Sequence, residues 1–111
     1  MTMFVVWASD RAGALAARQQ VREAHRARLR APQPHAVQVL LAGPTFDEAS
    51  QMNGTMLVVQ ADDRAAVQAF IDDDPYVAAG VYGAVEIRPW HCGLGPLLAN
   101  PASSPPIGSP P

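Results

Sequence analysis

Residues Thr55–Pro75, TMLVVQADDRAAVQAFIDDDP, change hydrophobic period partway along. Thr55 to Ala61 is a short apolar run that places Met56 and Val58 on one face of a strand and Leu57 and Val59 on the other. Asp62 or Asp63 then supplies an N-cap, and Val67, Phe70 and Ile71 mark one helical face before Pro75 forces Asp74 out of the helical region. A strand that is apolar on both faces, followed by a short amphipathic helix, is one half of a layered α+β unit.

Upstream, Met3–Ala8 (MFVVWA) reads as a first strand closed by Ser9, Asp10 and Gly13, and Ala14 to Arg30 as a helix with no proline before Pro32. Ala36–Ala42 (AVQVLLA) reads as a second strand halted by Gly43 and Pro44. Val81 to Pro89 is the last strand, with Val85 and Ile87 facing away from Glu86 and Arg88. The order βαββαβ predicts a ferredoxin-like sandwich, a four-stranded antiparallel sheet with both helices on one face. Phe4 and Val6 oppose Val5 and Trp7, so the face without helices is apolar too. A surface of that kind marks an interface, and a homodimer packed sheet to sheet is the expectation. Residues 1–92 make this domain. Residues 93–111, dominated by Pro, Gly, Ser and Ala, read as a flexible or polyproline-like tail in which Leu94 to Leu98 could dock on a neighbour.

Composition narrows the function classes. Ten acidic residues against eight basic ones give a net charge of -2, without the basic footprint of nucleic-acid binding. All eight cations are arginines, so lysine Schiff bases and a Walker-type phosphate lysine are excluded. There is no glycine-rich dinucleotide loop, CxxC or HExxH, and His91 beside Cys92 is too small a set for a metal, so neither cofactor nor metal is expected. Cys92 is the single cysteine, and no apolar stretch approaches the roughly 20 residues a bilayer requires. A cytoplasmic protein without membrane contact follows as the expectation.

Chemistry concentrates in the helix Ala14–Arg30, whose inward stripe runs Leu15, Arg18, Val21 or Arg22, His25 and Leu29. His25 is either a general base or a core histidine bonded to a backbone carbonyl, with the arginines extending to solvent; the pattern supports both. Asp72, Asp73 and Asp74 close the second helix, where the macrodipole disfavours anions. Asp72 and Asp73 read as solvated, and His35 as a surface residue. Asp74, pinned before Pro75, can orient a histidine and fix its tautomer, although spacing alone does not show whether it reaches His25.

RQQVREAHRARL (Arg18–Leu29), LLAGP (Leu40–Pro44), DPYVAAGVY (Asp74–Tyr82) and VEIRPW (Val85–Trp90) follow one another across almost all of Phe4 to Trp90, and with them the chain resembles the YciI family. The resemblance implies a ferredoxin-like fold that pairs into a dimeric α/β barrel, with a pocket beside a histidine and aspartate matched here by His25 and Asp74. It also implies kinship with dehydrochlorinases of chlorinated hydroxyquinols and with the muconolactone isomerase fold. On that footing His25 abstracts or relays a proton, Asp74 orients it, and Arg18 or Arg22 steadies an enolate or carboxylate oxygen. Tyr76, Gly43 and Pro44 line the pocket. The chain departs from the family pattern at the Ala31–His35 link, at Gly54–Thr55 where relatives often carry Gly-Ser, and in its proline-rich tail. Thr55 therefore stands where a serine hydroxyl would act. The expected function is a cofactor-independent lyase or isomerase acting on a small anionic or aromatic molecule. The alternatives are a non-catalytic protein that binds such a molecule in the same pocket, and an interaction module whose tail recruits a partner with an aromatic groove.

Overall fold

The computed structural model describes residues 1–99; the remainder of the expected tail, 100–111, lies outside the described residues. Strand β1 (Thr2–Asp10) leads into helix α1 (Leu15–Arg30), then β2 (Val37–Phe46), β3 (Met52–Ala61), α2 (Arg64–Asp72), α3 (Pro75–Ala78) and β4 (Tyr82–Trp90). The strands lie in the order β2-β3-β1-β4, each pair antiparallel. This is the ferredoxin-like βαββαβ arrangement expected from the order of elements. Phe4, Val6, Leu57, Val59 and Ile87 point from the sheet toward Val67, Phe70 and Ile71 of α2 and form the main core. A second cluster gathers Ala8, Ala14, Tyr76, Val81 and Tyr82 under α1 and α3.

Four local readings differ from the structure, each for a physical reason. First, β1 continues through Ser9 and Asp10 instead of turning there, and a register shift against β4 sets Asp10 opposite Tyr82. Irregularities of this kind re-aim a side chain, and here the Asp10 carboxylate is brought to α1. Second, β2 is not halted at Gly43 and Pro44 but runs to Phe46. It is an edge strand, where the missing proline N–H removes no ladder bond on the outer side. Third, where the small residues Val77–Gly80 read as a turn, the chain after Asp74 forms the short helix α3, because an aspartate N-cap followed by proline at the first position is a helix start. Gly80, at φ +72°, closes that helix in a conformation other residues resist. Fourth, His35 is not simply a surface residue: its Nε2 lies 2.7 Å from Asp73 Oδ2 and its ring meets the edge of Phe70.

On the sheet face opposite the helices, Met3, Val58 and Cys92 form a small cluster flanked by Leu40, Met56 and Leu97. Leu97 belongs to a helical turn at Pro96–Ala99, so the part of the expected tail nearest the domain packs on it, whereas Leu94 is exposed. No helix among the described residues is long and apolar enough to cross a membrane.

Candidate active site

Helix α1 carries five of the chain's eight arginines together with His25, and its inner side faces β2, β3 and α3. Arg18 is buried, and its guanidinium donates from Nε to Asp10 Oδ2 at 2.7 Å and from Nη2 to Asp10 Oδ1 at 2.9 Å. Nη2 also donates to Thr55 Oγ1 at 2.7 Å. Burial works against the charge of Arg18, but the hydrogen bond and charge of Asp10 outweigh it and hold the pKa above the ordinary arginine value. Gly54, the neighbour of Thr55, has no room for a side chain: a Cβ there would stand 2.5 Å from Thr45 Oγ1 and 2.6 Å from the Ala8 carbonyl oxygen.

Two turns further along α1, His25 Nδ1 lies 2.9 Å from Asp74 Oδ1 and 2.8 Å from Oδ2, closing the distance that spacing left open. Asp74 is buried because it caps α3, its Oδ1 accepting from the Tyr76 N–H at 2.8 Å. An anion at the end of α2 is thus compensated by the start of α3 and by the imidazole. The carboxylate can only accept, so Nδ1 is the donor and carries the proton. Nε2, which has no protein partner among the described residues, is the nitrogen available to a ligand in the cleft that His25 lines. Tyr76 stacks on the imidazole, with ring centroids 4.0 Å apart and planes inclined by 19°, and the Arg18 guanidinium sits 4.5 Å from the same phenol ring. The Tyr76 hydroxyl is buried with no hydrogen-bond partner among the described residues.

The cleft, of about 530 Å³, opens between α1 and the edge strand β2. Of the residues singled out from sequence, Arg18, Arg22, His25, Gly43, Pro44, Thr55 and Tyr76 all line it, and Asp74 stands directly behind His25. Three residues were missed. Arg28 lies over the Phe70 ring at 4.3 Å, donates to the Phe70 carbonyl oxygen at 2.6 Å, and brings Nη1 to 3.8 Å from Asp74 Oδ2. Its place three residues after His25, on the adjoining face, was the available signal. Arg26 and Arg30 continue the four-residue series begun by Arg18 and Arg22 and also line the cleft.

Tyr76 and Tyr82 are the chain's two tyrosines, and burial raises the pKa of both, with the positive charges of Arg18 and Arg22 partly opposing the effect at Tyr76. Unfolded tyrosines lose their protons near pH about 10. Above that value the folded chain holds more protons than the unfolded one, so stability falls as pH rises. Alkaline titration is therefore expected to release tyrosinate absorbance in one step together with loss of circular dichroism. Gradual phenolate formation in a chain that remains folded would contradict this.

Comparison with known proteins gives consistent matches. The model of the YCII-related domain matches residues 2–91. Protein YciI of Escherichia coli and that of Shigella flexneri are each 37% identical over 94 residues, covering 79% of this chain and 95% of theirs. An uncharacterized protein of Haemophilus influenzae is 33% identical over 93 residues, covering 78% of this chain and 94% of its own. Among solved structures, 5-chloro-2-hydroxyhydroquinone dehydrochlorinase from Burkholderia phenoliruptrix, in complex with 2,5-dihydroxybenzoquinone, superposes with a TM-score of 0.70 at 28% identity. The match covers 82% of this chain and 95% of the dehydrochlorinase.

Proposed function

The chain belongs to the YCII-related domain family, and from that membership and the His25–Asp74 pair we propose that it is a cofactor-independent lyase or isomerase moving protons on a small aromatic or unsaturated molecule. The observation that carries the reading is a buried carboxylate on Nδ1 of a histidine whose ring lines a cleft. Asp74 fixes the tautomer, and Nε2 takes a proton from the substrate. In an elimination, the pair left by that proton forms the new π bond while the carbon–halogen bond breaks and chloride leaves with its electrons. The net loss is one proton and one chloride, and the redox-neutral step requires no co-reactant. Arg22, which lines the cleft, is the group that steadies the oxygen on which charge develops in this reading. Arg18 contributes less directly, since Asp10 and Thr55 already engage three of its five N–H groups.

The dehydrochlorinase relative makes 5-chloro-2-hydroxyhydroquinone the first substrate to test. Chloride and protons should appear in equal amounts with the native protein, and His25→Ala should slow release by about 10²- to 10⁴-fold. Release that survives His25→Ala, or no release by the native protein from this or other halogenated hydroxyquinols, counts against the proposal.

The same reading seats a second copy of the chain on the sheet face without helices. Trp7 is 46% and Leu41 50% exposed there, beside half-buried Val5 and Met56. Large apolar side chains grouped on one face are the mark of an interface. Sedimentation equilibrium should give twice the mass of one chain, and Trp7→Glu should halve it; a monomeric native protein rules the pairing out.

A further inference from the structure

We propose that the cleft selects substrates bearing an acidic group remote from the atom on which His25 acts, and that Arg26 and Arg30 hold that group. The proposal rests on the His25 reading only for which end of the substrate reacts. Arg18, Arg22, Arg26 and Arg30 all line the cleft, at four-residue intervals along α1. Each interval advances about 6 Å along the helix axis, so the guanidinium groups form a column, with His25 between the levels of Arg22 and Arg26.

The members of the column differ in what they are free to do. Arg18 is engaged by Asp10 and Thr55. Among the described residues Arg26 pairs only with Glu23, at 3.3 Å in an exposed pair that holds it weakly. Arg30 makes no ion pair among the described residues. Among the described residues no carboxylate lines the cleft, although the chain carries ten acidic residues and only eight basic ones. Charge of one sign is thus gathered along one wall, and a concave surface of that kind concentrates anions. A cation near a helix C-terminus also complements the macrodipole, which would account for Arg30. It does not account for Arg26 or for the absence of carboxylates. Across the cleft, Val39 and Ala42 of β2 offer an apolar wall to the body of the ligand. The ligand class that fits both walls is a flat apolar acid, its carboxylate forked by guanidinium at one end and its reacting oxygen or carbon near Nε2 of His25.

4-Hydroxybenzoate and hydroquinone test the idea, because they share a ring and a hydroxyl and differ in the carboxylate at the far end. Calorimetric titration of the native protein should show 4-hydroxybenzoate binding at least about tenfold more tightly, as expected for a charge-assisted hydrogen bond, with the preference weakening as salt is added. The double variant R26Q/R30Q should abolish the preference while leaving circular dichroism unchanged. Glu23→Gln, which releases Arg26 from its surface partner, should strengthen the preference. Equal affinities in the native protein, or a preference retained in R26Q/R30Q, overturns the inference even if chloride release depends on His25. A preference lost in R26Q/R30Q but kept in His25→Ala supports the arginine site, even if chloride release survives His25→Ala and the dyad reading fails.

Discussion

Asp74→Asn is expected to lower kcat on a productive substrate by about 10³- to 10⁴-fold while leaving the protein folded. The carboxylate beside His25 Nδ1 at 2.8 Å can only accept, which leaves Nε2 unprotonated toward the cleft. An asparagine amide can donate its own N–H to Nδ1, and the proton then sits on Nε2, where a base needs a lone pair. The fold survives because asparagine is also a good N-cap, and its carbonyl oxygen can still accept from the Tyr76 N–H that Asp74 holds at 2.8 Å. Since the substitution acts through the imidazole, KM should change far less than kcat, and the nitrogen chemical shifts of His25 should report the other tautomer. A kcat within tenfold of the native value, or an unchanged tautomer, would falsify the orienting role.

Asp10→Ala should destabilise the protein by about 3–5 kcal/mol, the usual consequence of removing one partner of a buried ion pair. Arg18 is 2% exposed and its carboxylate partner 6%, so solvent cannot replace what Asp10 provides. With Asp10 gone, two of the guanidinium hydrogen bonds lose their acceptor and only the bond to Thr55 remains. A small domain is stable by only about 5–15 kcal/mol, so the loss is a large fraction of the whole. Urea denaturation is the direct measurement. A midpoint shift equivalent to less than about 1 kcal/mol would place the pair among weak surface bridges instead.

The fold was legible because each element carries its own period. Thr55–Ala61 is a continuous apolar run of strand length, Val67, Phe70 and Ile71 recur at helical spacing, and the turns between are punctuated by Asp, Pro and Gly. Errors arose where tertiary context overrides local chemistry. Pro44 stops a strand in the interior of a sheet but not at its edge, and nothing local says that β2 is an edge. Arg18, Arg22 and His25 stood out as charged groups on an inward stripe, and Asp74 as a carboxylate pinned by proline. Their meeting was not legible, because 49 residues separate His25 from Asp74 and only the packing of α3 against α1 joins them. Asp10 was misread as turn chemistry for the same reason, since its partner Arg18 reaches it only once β1 is extended past Ser9.

The Tyr76 hydroxyl, buried and without a partner among the described residues, implies that the chain stops short of its own best stability. A polar group left unsatisfied in the interior costs about 1–3 kcal/mol. Tyr76→Phe would remove that cost while keeping the ring that stacks on His25, and the empty protein would melt at a higher temperature. Because the hydroxyl is enclosed and not presented to the cleft, the thermal stabilisation conferred by a ligand would be unchanged. Selection for hardiness alone would favour phenylalanine at this position, and the tyrosine found there is a margin of stability left unclaimed, as in proteins that sit above a threshold and short of an optimum.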